Sequence, residues 1–161
     1  MMNAPSVQPG PFTDRYTIER VLGRGATATV FRARDSASDK PVAIKVLKPD
    51  LAESIGSHRF LREIRLTQAL HHPHIVPVLD SGEFERNLYC VLPLMEGGTL
   101  RDMLDRERQL AVPRAVEIAR TIAGALDYAH KAGVIHRDVK PENILISGES
   151  VCLADFGIAR A

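Results

Sequence analysis

Two short segments in the last third of the sequence carry side chains suited to phosphate and metal chemistry. The first, Val134–Leu145, sets charged and polar groups between apolar pairs, and such a loop is either a solvent-exposed connection or a reaction centre. The second, Leu153–Gly157, carries a carboxylate after a short apolar run. Asn143 and Asp155 offer the hard oxygen ligands that Mg²⁺ requires when it holds phosphate. Asp138 is then available to accept a proton from a hydroxyl group.

A lysine interrupts the apolar strand pattern Val42–Lys45. A buried ammonium group must be paired, although a strand lysine that faces outward is the commoner case. Glu63, on a predicted helix, is available as a partner for Lys45. The alternative for Glu63 is a solvated carboxylate, because Arg62 and Arg65 flank it.

A glycine-rich stretch, Gly23–Val30, follows the first predicted strand. Glycines lack side chains and therefore let backbone N–H groups approach phosphate oxygens. A dinucleotide-binding site would need a helix after the glycines, and the strand-like run found here excludes that interpretation. A hairpin turn that contains Gly23 and Gly25 is the alternative to a phosphate-binding loop.

The composition of the 161-residue chain is that of an average soluble protein and argues against several classes of function. Its 21 Lys and Arg residues and 20 Asp and Glu residues give a net charge of +1. This balance does not support general electrostatic binding to nucleic acid or to a membrane surface. Cys90 and Cys152 lie far apart without a CxxC motif, which excludes a disulfide scaffold and a cysteine zinc site. We expect no transmembrane segment, no signal peptide and a cytoplasmic location.

The elements that must position these groups fall into two parts. Residues 1–15 contain several prolines and little apolar content, which predicts a disordered lead-in. The next part predicts an antiparallel sheet of five strands with one helix over 57–70. The five strands are predicted at residues 16–22, 28–34, 41–47, 75–79 and 88–92.

The second part begins at the pair Gly97–Gly98 and is mainly helical. Thr99 can cap a short helix, and Pro113 opens a long helix that Gly133 ends. The buried stripe of the long helix is predicted at Val116, Ala119, Ile122, Leu126 and Ala129. Short strands are predicted at 134–135, 144–146 and 151–153. A ligand cleft is expected where the two parts meet.

In their order and spacing, these segments resemble the eukaryotic-like serine/threonine protein kinases found in bacteria. The resemblance extends from about Tyr16 to Ala161. It implies an α+β protein-kinase-like fold, with a five-stranded antiparallel N-lobe and one helix over 16–95 and the first part of a helical C-lobe over 96–161. It also implies that the protein transfers the γ-phosphoryl group of Mg·ATP to a Ser or Thr hydroxyl of a protein substrate.

The resemblance assigns the phosphate-binding roles to the first two motifs. Gly23 and Gly25 would cover the ATP phosphates, with Ala28 standing where the family has a third glycine. Lys45 would hold the α- and β-phosphates and would pair with Glu63.

The same resemblance assigns the roles nearest the transferred group to the two later segments. Asp138 would be the catalytic base, and Lys140 would neutralise charge on the transferred phosphoryl group. Asn143 and Asp155 would bind Mg²⁺. His136 is expected to be a structural loop residue rather than a base.

The resemblance also implies an adenine site. Its apolar contacts would be a roof of Leu22, Val30 and Ala43, a floor of Leu145 and a gatekeeper, Leu92. Backbone groups of Pro93 and Met95 would face adenine. Proline is tolerable at that position because only its C=O is needed there.

The sequence stops four residues after Gly157, before the activation segment and the Ala-Pro-Glu motif that the family uses to bind peptide substrates. We therefore expect a fragment that is inactive when expressed alone. A non-catalytic nucleotide-binding or docking module is the alternative function. The presence of Lys45, Asp138 and Asp155 favours the enzyme.

Overall fold

The computed structural model describes residues 9–156, and these form two compact units. The first unit contains residues 9–65 and 78–94, and the second contains residues 66–77 and 95–156. The sequence predicts lobes at 16–95 and 96–161, whereas the structure groups residues 66–77 with the second unit. Leu70 and Ile75 account for this difference, because both are buried in the core of the second unit. Gly157 of the predicted metal-binding segment lies outside the described residues.

A six-stranded antiparallel sheet dominates the first unit. Its strands are β1 (Gly10–Pro11), β2 (Tyr16–Arg24), β3 (Ala28–Asp35), β4 (Lys40–Leu47), β5 (Asp80–Phe84) and β6 (Asn87–Pro93). The spatial order is β1-β2-β3-β4-β6-β5, and each neighbouring pair is antiparallel.

One face of this sheet carries the apolar core of the first unit. Phe31 on β3 pairs with Ile44 on β4, which pairs in turn with Val91 on β6. All three side chains are at most 1% exposed. Because side chains alternate along a strand, the residues before and after each of these lie on the opposite face of the sheet.

The sheet has six strands where five were predicted, and strand β1 lies within the predicted lead-in. The prediction that residues 1–15 are disordered is therefore wrong for residues 10–12. Gly10 pairs with Ile18 on β2. The ring of Phe12 lies 5.2 Å from the rings of both Phe84 and Tyr89. Aromatic contacts of this kind bury enough apolar area to order a short segment despite its prolines.

The strand predicted at 75–79 is also wrong. Ile75 forms one isolated bridge with Leu153, the Val76 N–H donates to the Leu153 C=O, and the regular strand of this region is β5. The apolar residues of 75–79 therefore pack as a loop. Pro77, in the middle of that run, has no N–H to donate to a sheet.

Two helices follow β4, where the sequence predicts one. Helix α1 (Pro49–Ile55) has a proline in its first turn, and Gly56, with φ of +78°, ends it. Helix α2 (Ser57–Gln68) matches the helix predicted at 57–70. Phe60 and Ile64 of α2 are at most 1% exposed, as their helical spacing predicts.

Helices α3 (Leu100–Glu107) and α4 (Val112–Lys131) belong to the second unit. Thr99 caps α3 as predicted, because its hydroxyl accepts the Asp102 N–H while the Asp102 carboxylate accepts the Thr99 N–H. Gly133, with φ of +78°, follows α4 as predicted. None of the described helices is both long and apolar enough to span a membrane.

The predicted buried stripe of α4 is partly wrong. Val116 and Ala119 are exposed, and the buried residues are Ile118, Ile122, Ala125 and Ala129. Both sets have helical spacing, because apolar residues occur on more than one side of this helix. The periodicity therefore predicts the helix correctly without choosing between its faces.

A short hairpin completes the second unit. It consists of β7 (Ile144–Ser147) and β8 (Ser150–Leu153), preceded by a 3₁₀ turn at Pro141–Asn143. Residues 134–135, predicted as a strand, have no strand pairing in the described structure. Gly97 passes close to β7, and a Cβ atom added to it would lie 1.8 Å from the Ile146 carbonyl oxygen.

Candidate active site

The face of the first-unit sheet opposite its core gathers five of the predicted nucleotide-binding residues. Cross-strand pairing sets Gly23 beside Val30 and Val30 beside Lys45. It also sets Ala43 beside Leu92. Directly paired residues point to the same side of a sheet, so these five share one face, which we call the site face. The pairing thus brings together the residues predicted to contact phosphate and adenine in this unit.

Lys45 is buried in the middle of this face, with only 8% of its surface exposed. Glu63, its predicted partner, lies on α2 in the same unit. The Glu63 side chain is 32% exposed, and the Arg59 Nε atom lies 3.6 Å from its Oε1 atom. Lys45 is therefore not the outward-facing surface lysine that is the commoner case for a strand.

The glycine-rich stretch forms the hairpin between β2 and β3. The Gly25 N–H donates to the Ala28 C=O at 2.9 Å, as the hairpin interpretation predicts. A Cβ atom added at Gly23 would meet no atom within 4 Å, so Gly23 leaves open space beside the site face. Ala28 is the first residue of β3 and is buried. An extended strand position does not require glycine, which explains why alanine is accepted there.

The remaining predicted adenine contacts are divided between the two units. Leu22, which is 39% exposed, precedes Gly23 on β2, and Pro93 ends β6. Met95 and Leu145 belong to the second unit, where both are half-buried. Leu145 lies on β7 opposite Cys152 of β8.

Asp138, in the loop that follows α4, is held by two neighbouring side chains. The Lys140 Nζ atom lies 2.7 Å from its Oδ2 atom. The buried amide of Asn143 donates to the Asp138 C=O at 2.8 Å and to Oδ2 at 3.2 Å. These contacts fix the direction of the carboxylate relative to the lysine and the amide. Three residues predicted to act together, Asp138, Lys140 and Asn143, are therefore in mutual contact.

The buried side chain of His136 contacts the backbone on both sides of the candidate site, and its two ring nitrogens have different roles. Nδ1 accepts the Asp138 N–H at 3.2 Å, so Nε2 must carry the hydrogen that it donates to the Ala154 C=O at 2.8 Å. The ring is 1% exposed and its centroid lies 4.7 Å from that of Phe156. This geometry is that of a structural histidine, as expected from the sequence.

A second backbone link joins Asn143 to the segment that carries Asp155. The Ala154 N–H donates to the Asn143 C=O at 2.8 Å. Ala154, the residue before Asp155, is therefore linked to the segment around Asp138 through its N–H, which bonds to Asn143, and through its C=O, which bonds to His136. Sequence reasoning missed Ala154, because a backbone contact leaves no signal in the type of side chain.

The backbone is strained at two points of the same region. Arg137 has φ of +67° and Asp155 has φ of +63°. Left-handed backbone at residues other than glycine costs about 1–3 kcal/mol each and persists only when the surroundings enforce it. Arg137 directly precedes Asp138, the predicted catalytic base, and Asp155 is itself a predicted metal ligand.

Glu142 lies on the outer side of the 3₁₀ turn, next to Asn143. Its carboxylate accepts a hydrogen bond from the Arg101 Nε atom of α3 at 3.1 Å. A hydrogen bond from its own backbone N–H, and then that from Arg101, lowers the pKa of Glu142. This ion pair links α3 to the turn that contains Asn143. None of the sequence motifs described above predicts it.

Comparisons with known proteins agree with this geometry. The family model of the protein kinase domain matches residues 16–161. The serine/threonine-protein kinase PknE of Mycobacterium tuberculosis is 45% identical over 148 residues, which cover 91% of this chain and 26% of the relative. PknB of the same species is 43% identical over 159 residues, which cover 95% of this chain and 25% of the relative.

A solved structure extends the comparison to three dimensions. The kinase domain of Mycobacterium tuberculosis PknI superposes with a TM-score of 0.87 at 37% identity, covering 96% of this chain and 62% of that one. The chain spans about a quarter of the length of the curated relatives it matches. With fold, motif order and relatives in agreement, the chain belongs to the protein kinase domain family and groups with its bacterial serine/threonine kinases.

Proposed function

We propose that the protein is an ATP-dependent serine/threonine protein kinase that transfers the γ-phosphoryl group of Mg·ATP to a Ser or Thr hydroxyl of a protein. The observation that carries this proposal is the contact of Asp138 with Lys140 and Asn143 in a chain of the kinase family. The carboxylate is the proton acceptor, and the ammonium beside it is the positive charge that phosphoryl transfer requires.

The site face binds the nucleotide in this proposal. Lys45 holds the α- and β-phosphates, Gly23 and Gly25 allow the backbone to approach them, and Glu63 orients Lys45. The apolar contacts to adenine are Leu22, Val30, Ala43 and Leu92 from the first unit and Leu145 from the second, with backbone groups of Pro93 and Met95. A structural neighbour, Rad53, has been solved with AMP-PNP and shares 32% identity at a TM-score of 0.80, which supports nucleotide binding.

The donor atoms near Ala154 fit Mg²⁺. The Asn143 amide nitrogen is engaged with Asp138, which leaves the amide oxygen as its ligand atom. Asp155 supplies a carboxylate one residue after Ala154, and the Ala154 N–H donates a hydrogen bond to the Asn143 C=O. Mg²⁺ is typically held by one or two protein oxygen ligands together with substrate phosphates, so this small donor set is sufficient. When bound, the ion neutralises charge on the phosphates.

The chain's own groups act on the acceptor hydroxyl. Asp138 accepts its proton, the hydroxyl oxygen forms the new bond to the γ-phosphorus, and the bond from that phosphorus to the β–γ bridging oxygen breaks to release ADP. Lys140 balances the charge on the transferred group. Positioning and charge carry most of the rate enhancement in such reactions. We place the reaction in the cytoplasm, where ATP is available.

Replacement of Asp138 with Asn tests the proposal. The Asn side chain keeps the shape of the carboxylate but cannot accept the proton, so we expect phosphorylation of a Ser/Thr peptide library by the full-length gene product to fall by about 10²–10⁴-fold. Mg·ATP affinity, measured by calorimetry, should stay within about twofold of the unsubstituted protein.

Asp127→Asn is the matched control, because Asp127 is an exposed aspartate on α4 that pairs with Lys131. This variant should retain full activity. Full activity of Asp138→Asn would contradict the role of Asp138. Binding of Mg·ATP by the unsubstituted full-length protein without any transfer would favour the non-catalytic nucleotide-binding or docking module instead.

A further inference from the structure

A cavity of about 380 Å³ lies in the first unit, and its lining includes none of the residues assigned above to nucleotide binding or catalysis. It is bounded by α1, by the junction of α1 with α2, and by the turn that joins β5 to β6. Its floor is apolar, because Ala52 and Leu88 line it and are 8% and 1% exposed. The cavity is therefore a second candidate binding site.

The rim of this cavity is negatively charged. Three carboxylates line it, those of Glu53, Glu83 and Glu85, together with the guanidinium of Arg86. These groups leave an excess of two negative charges over an apolar floor. An occupant that matches both features needs an apolar stem and a cationic head.

The turn that carries two of the rim residues is strained. Glu85 and Arg86 have φ of +47° and +65°, and the pairing of Phe84 with Asn87 makes them the two central residues of a tight hairpin. Such turns favour Asn-Gly, which adopts positive φ at low cost. The chain instead keeps two charged residues there, and strain of this kind is concentrated at functional positions.

The opposite wall is fixed by hydrogen bonds at the junction of the two helices. The Gly56 N–H donates to the Ala52 C=O at 2.9 Å, and the Phe60 N–H donates to the Gly56 C=O at 3.1 Å. Gly56 has φ of +78°, which glycine adopts without strain. Binding would therefore need little rearrangement of this wall.

We propose that this cavity is a docking site for a lysine or arginine side chain of a partner polypeptide. The aliphatic stem of such a side chain would lie on Ala52 and Leu88, and its cationic head would meet the rim carboxylates. An acidic side chain would be repelled by the same rim. The site is independent of phosphoryl transfer, and its occupant is recognised by charge and by the length of its stem.

A peptide titration tests the docking site directly. The probe is a ten-residue Ala/Gly peptide with two central lysines, added to the ¹⁵N-labelled full chain while amide chemical shifts are recorded. We expect saturable shifts at residues 52–57 and 83–88, which weaken as salt is added. A peptide with glutamates in place of the lysines should give none. Equal shifts with both peptides, or shifts confined to other residues, would overturn the proposal.

Two substitutions in the strained turn separate docking from folding. Glu85→Asn and Arg86→Gly each place a residue that favours positive φ, so both should raise the melting temperature. Their effects on docking should be opposite. Glu85→Asn removes a carboxylate and should weaken lysine-peptide binding about two- to fivefold, whereas Arg86→Gly removes the competing cation and should strengthen it. Changes in the same direction, or none, would refute the charge-based site.

Discussion

Lys45 shows how a single residue can depend on its strand for its chemistry. Its neighbours across the sheet, Val30 and Cys90, lie on the same face, and together they leave the lysine only 8% exposed. An ammonium group in such surroundings interacts more strongly with phosphate than one in water, because the local dielectric constant is lower. The proposed role of Lys45 therefore rests on its burial as well as on its charge.

Lys45→Met should keep the volume and burial of the side chain and remove its charge. We expect phosphoryl transfer by the full-length gene product to fall by about 10²–10³-fold, the effect of losing one charge-stabilising group. Mg·ATP affinity should also fall, in contrast to Asp138→Asn. Lys40→Met is the control, because Lys40 is an exposed lysine at the start of the same strand. If both lysine variants behaved alike, Lys45 would have no special role.

The residues of the candidate site could be proposed from the sequence, but the hydrogen bonds that hold them in place could not. Asp138, Lys140 and Asn143 stand in one motif, and the structure places them in contact. The links through His136 and Ala154 use a ring nitrogen and backbone groups. Any residue other than proline supplies such backbone groups, so nothing in the sequence marks Ala154 as a connection.

At the scale of elements, the approach of Gly97 to β7 fixes the entry to α3. The Gly98 C=O accepts the Ile146 N–H at 2.9 Å, and Gly97 lies against the same strand. No room remains for a side chain, since the Cβ atom of an alanine would overlap the Ile146 carbonyl oxygen.

Gly97→Ala should therefore lower the free energy of unfolding by about 1–3 kcal/mol, the usual cost of overpacking. Gly124→Ala is the matched control, because Gly124 lies inside α4 and a Cβ atom there would meet no atom within 4 Å. That change should stabilise the protein by about 0.5–1 kcal/mol through helix propensity. Urea unfolding of the two variants measures the difference, and a Gly97→Ala variant as stable as the unsubstituted chain would contradict the close contact.

An ion pair joins Arg15, the half-exposed residue just before β2, to the buried carboxylate of Asp35 at the end of β3. The Asp35 carboxylate accepts hydrogen bonds from Arg15 Nε at 2.7 Å and Nη2 at 2.9 Å, and from the Ser38 hydroxyl at 2.8 Å. The hydrogen bond from Arg15 is the main reason that the pKa of Asp35 lies well below its usual range. In the unfolded chain this pKa returns to its ordinary value of about 3.9.

The free energy of unfolding should therefore fall in acid. A carboxylate whose pKa is lower in the folded state stabilises the fold above its unfolded pKa and loses that contribution as the pH drops through its folded pKa. We expect stability to decrease as the pH is lowered from about 5 to 2, and Asp35→Asn should flatten this dependence. Asp39→Asn, in the same turn but with a side chain 87% exposed, should retain the original slope. Equal slopes for both variants would argue against the Arg15–Asp35 pair as the cause.

The elements with strong local signals were predicted, and those without them were not. Thr99 and Gly133 mark helix ends by the chemistry of their own positions, and both ends are found. Strand β5, with the sequence Asp-Ser-Gly-Glu-Phe, has no apolar alternation because it is an edge strand. The apolar run at 75–79 resembles a strand in sequence, because a loop that packs against the core needs the same apolar residues as a buried strand.

At the scale of the whole molecule, the folded region begins before the family match does. The match begins at residue 16, whereas β1 and Phe12 belong to the sheet and core of the first unit. A chain that began at residue 16 would expose the rings of Phe84 and Tyr89 that Phe12 covers.

Phe12→Ala should lower the free energy of unfolding by about 3 kcal/mol, as is typical for the loss of a buried aromatic side chain. Pro9→Ala, at an exposed position three residues earlier, is the control and should change stability by less than about 0.5 kcal/mol. Thermal unfolding followed by circular dichroism compares the two. An unchanged melting temperature for Phe12→Ala would show that the segment is dispensable.

The uninterrupted pairing of β3 with β4 has a consequence for the sequence changes that the family can tolerate. Eight consecutive pairs join the two strands, from Ala28 with Leu47 to Asp35 with Lys40. Removal of one residue within 41–43 would turn Lys45 toward the apolar core and Ile44 toward the site face. Changes of length in the exposed turn at 36–39 would leave that alternation intact. Insertions and deletions among relatives should therefore collect in this turn and be missing from the strand beside it.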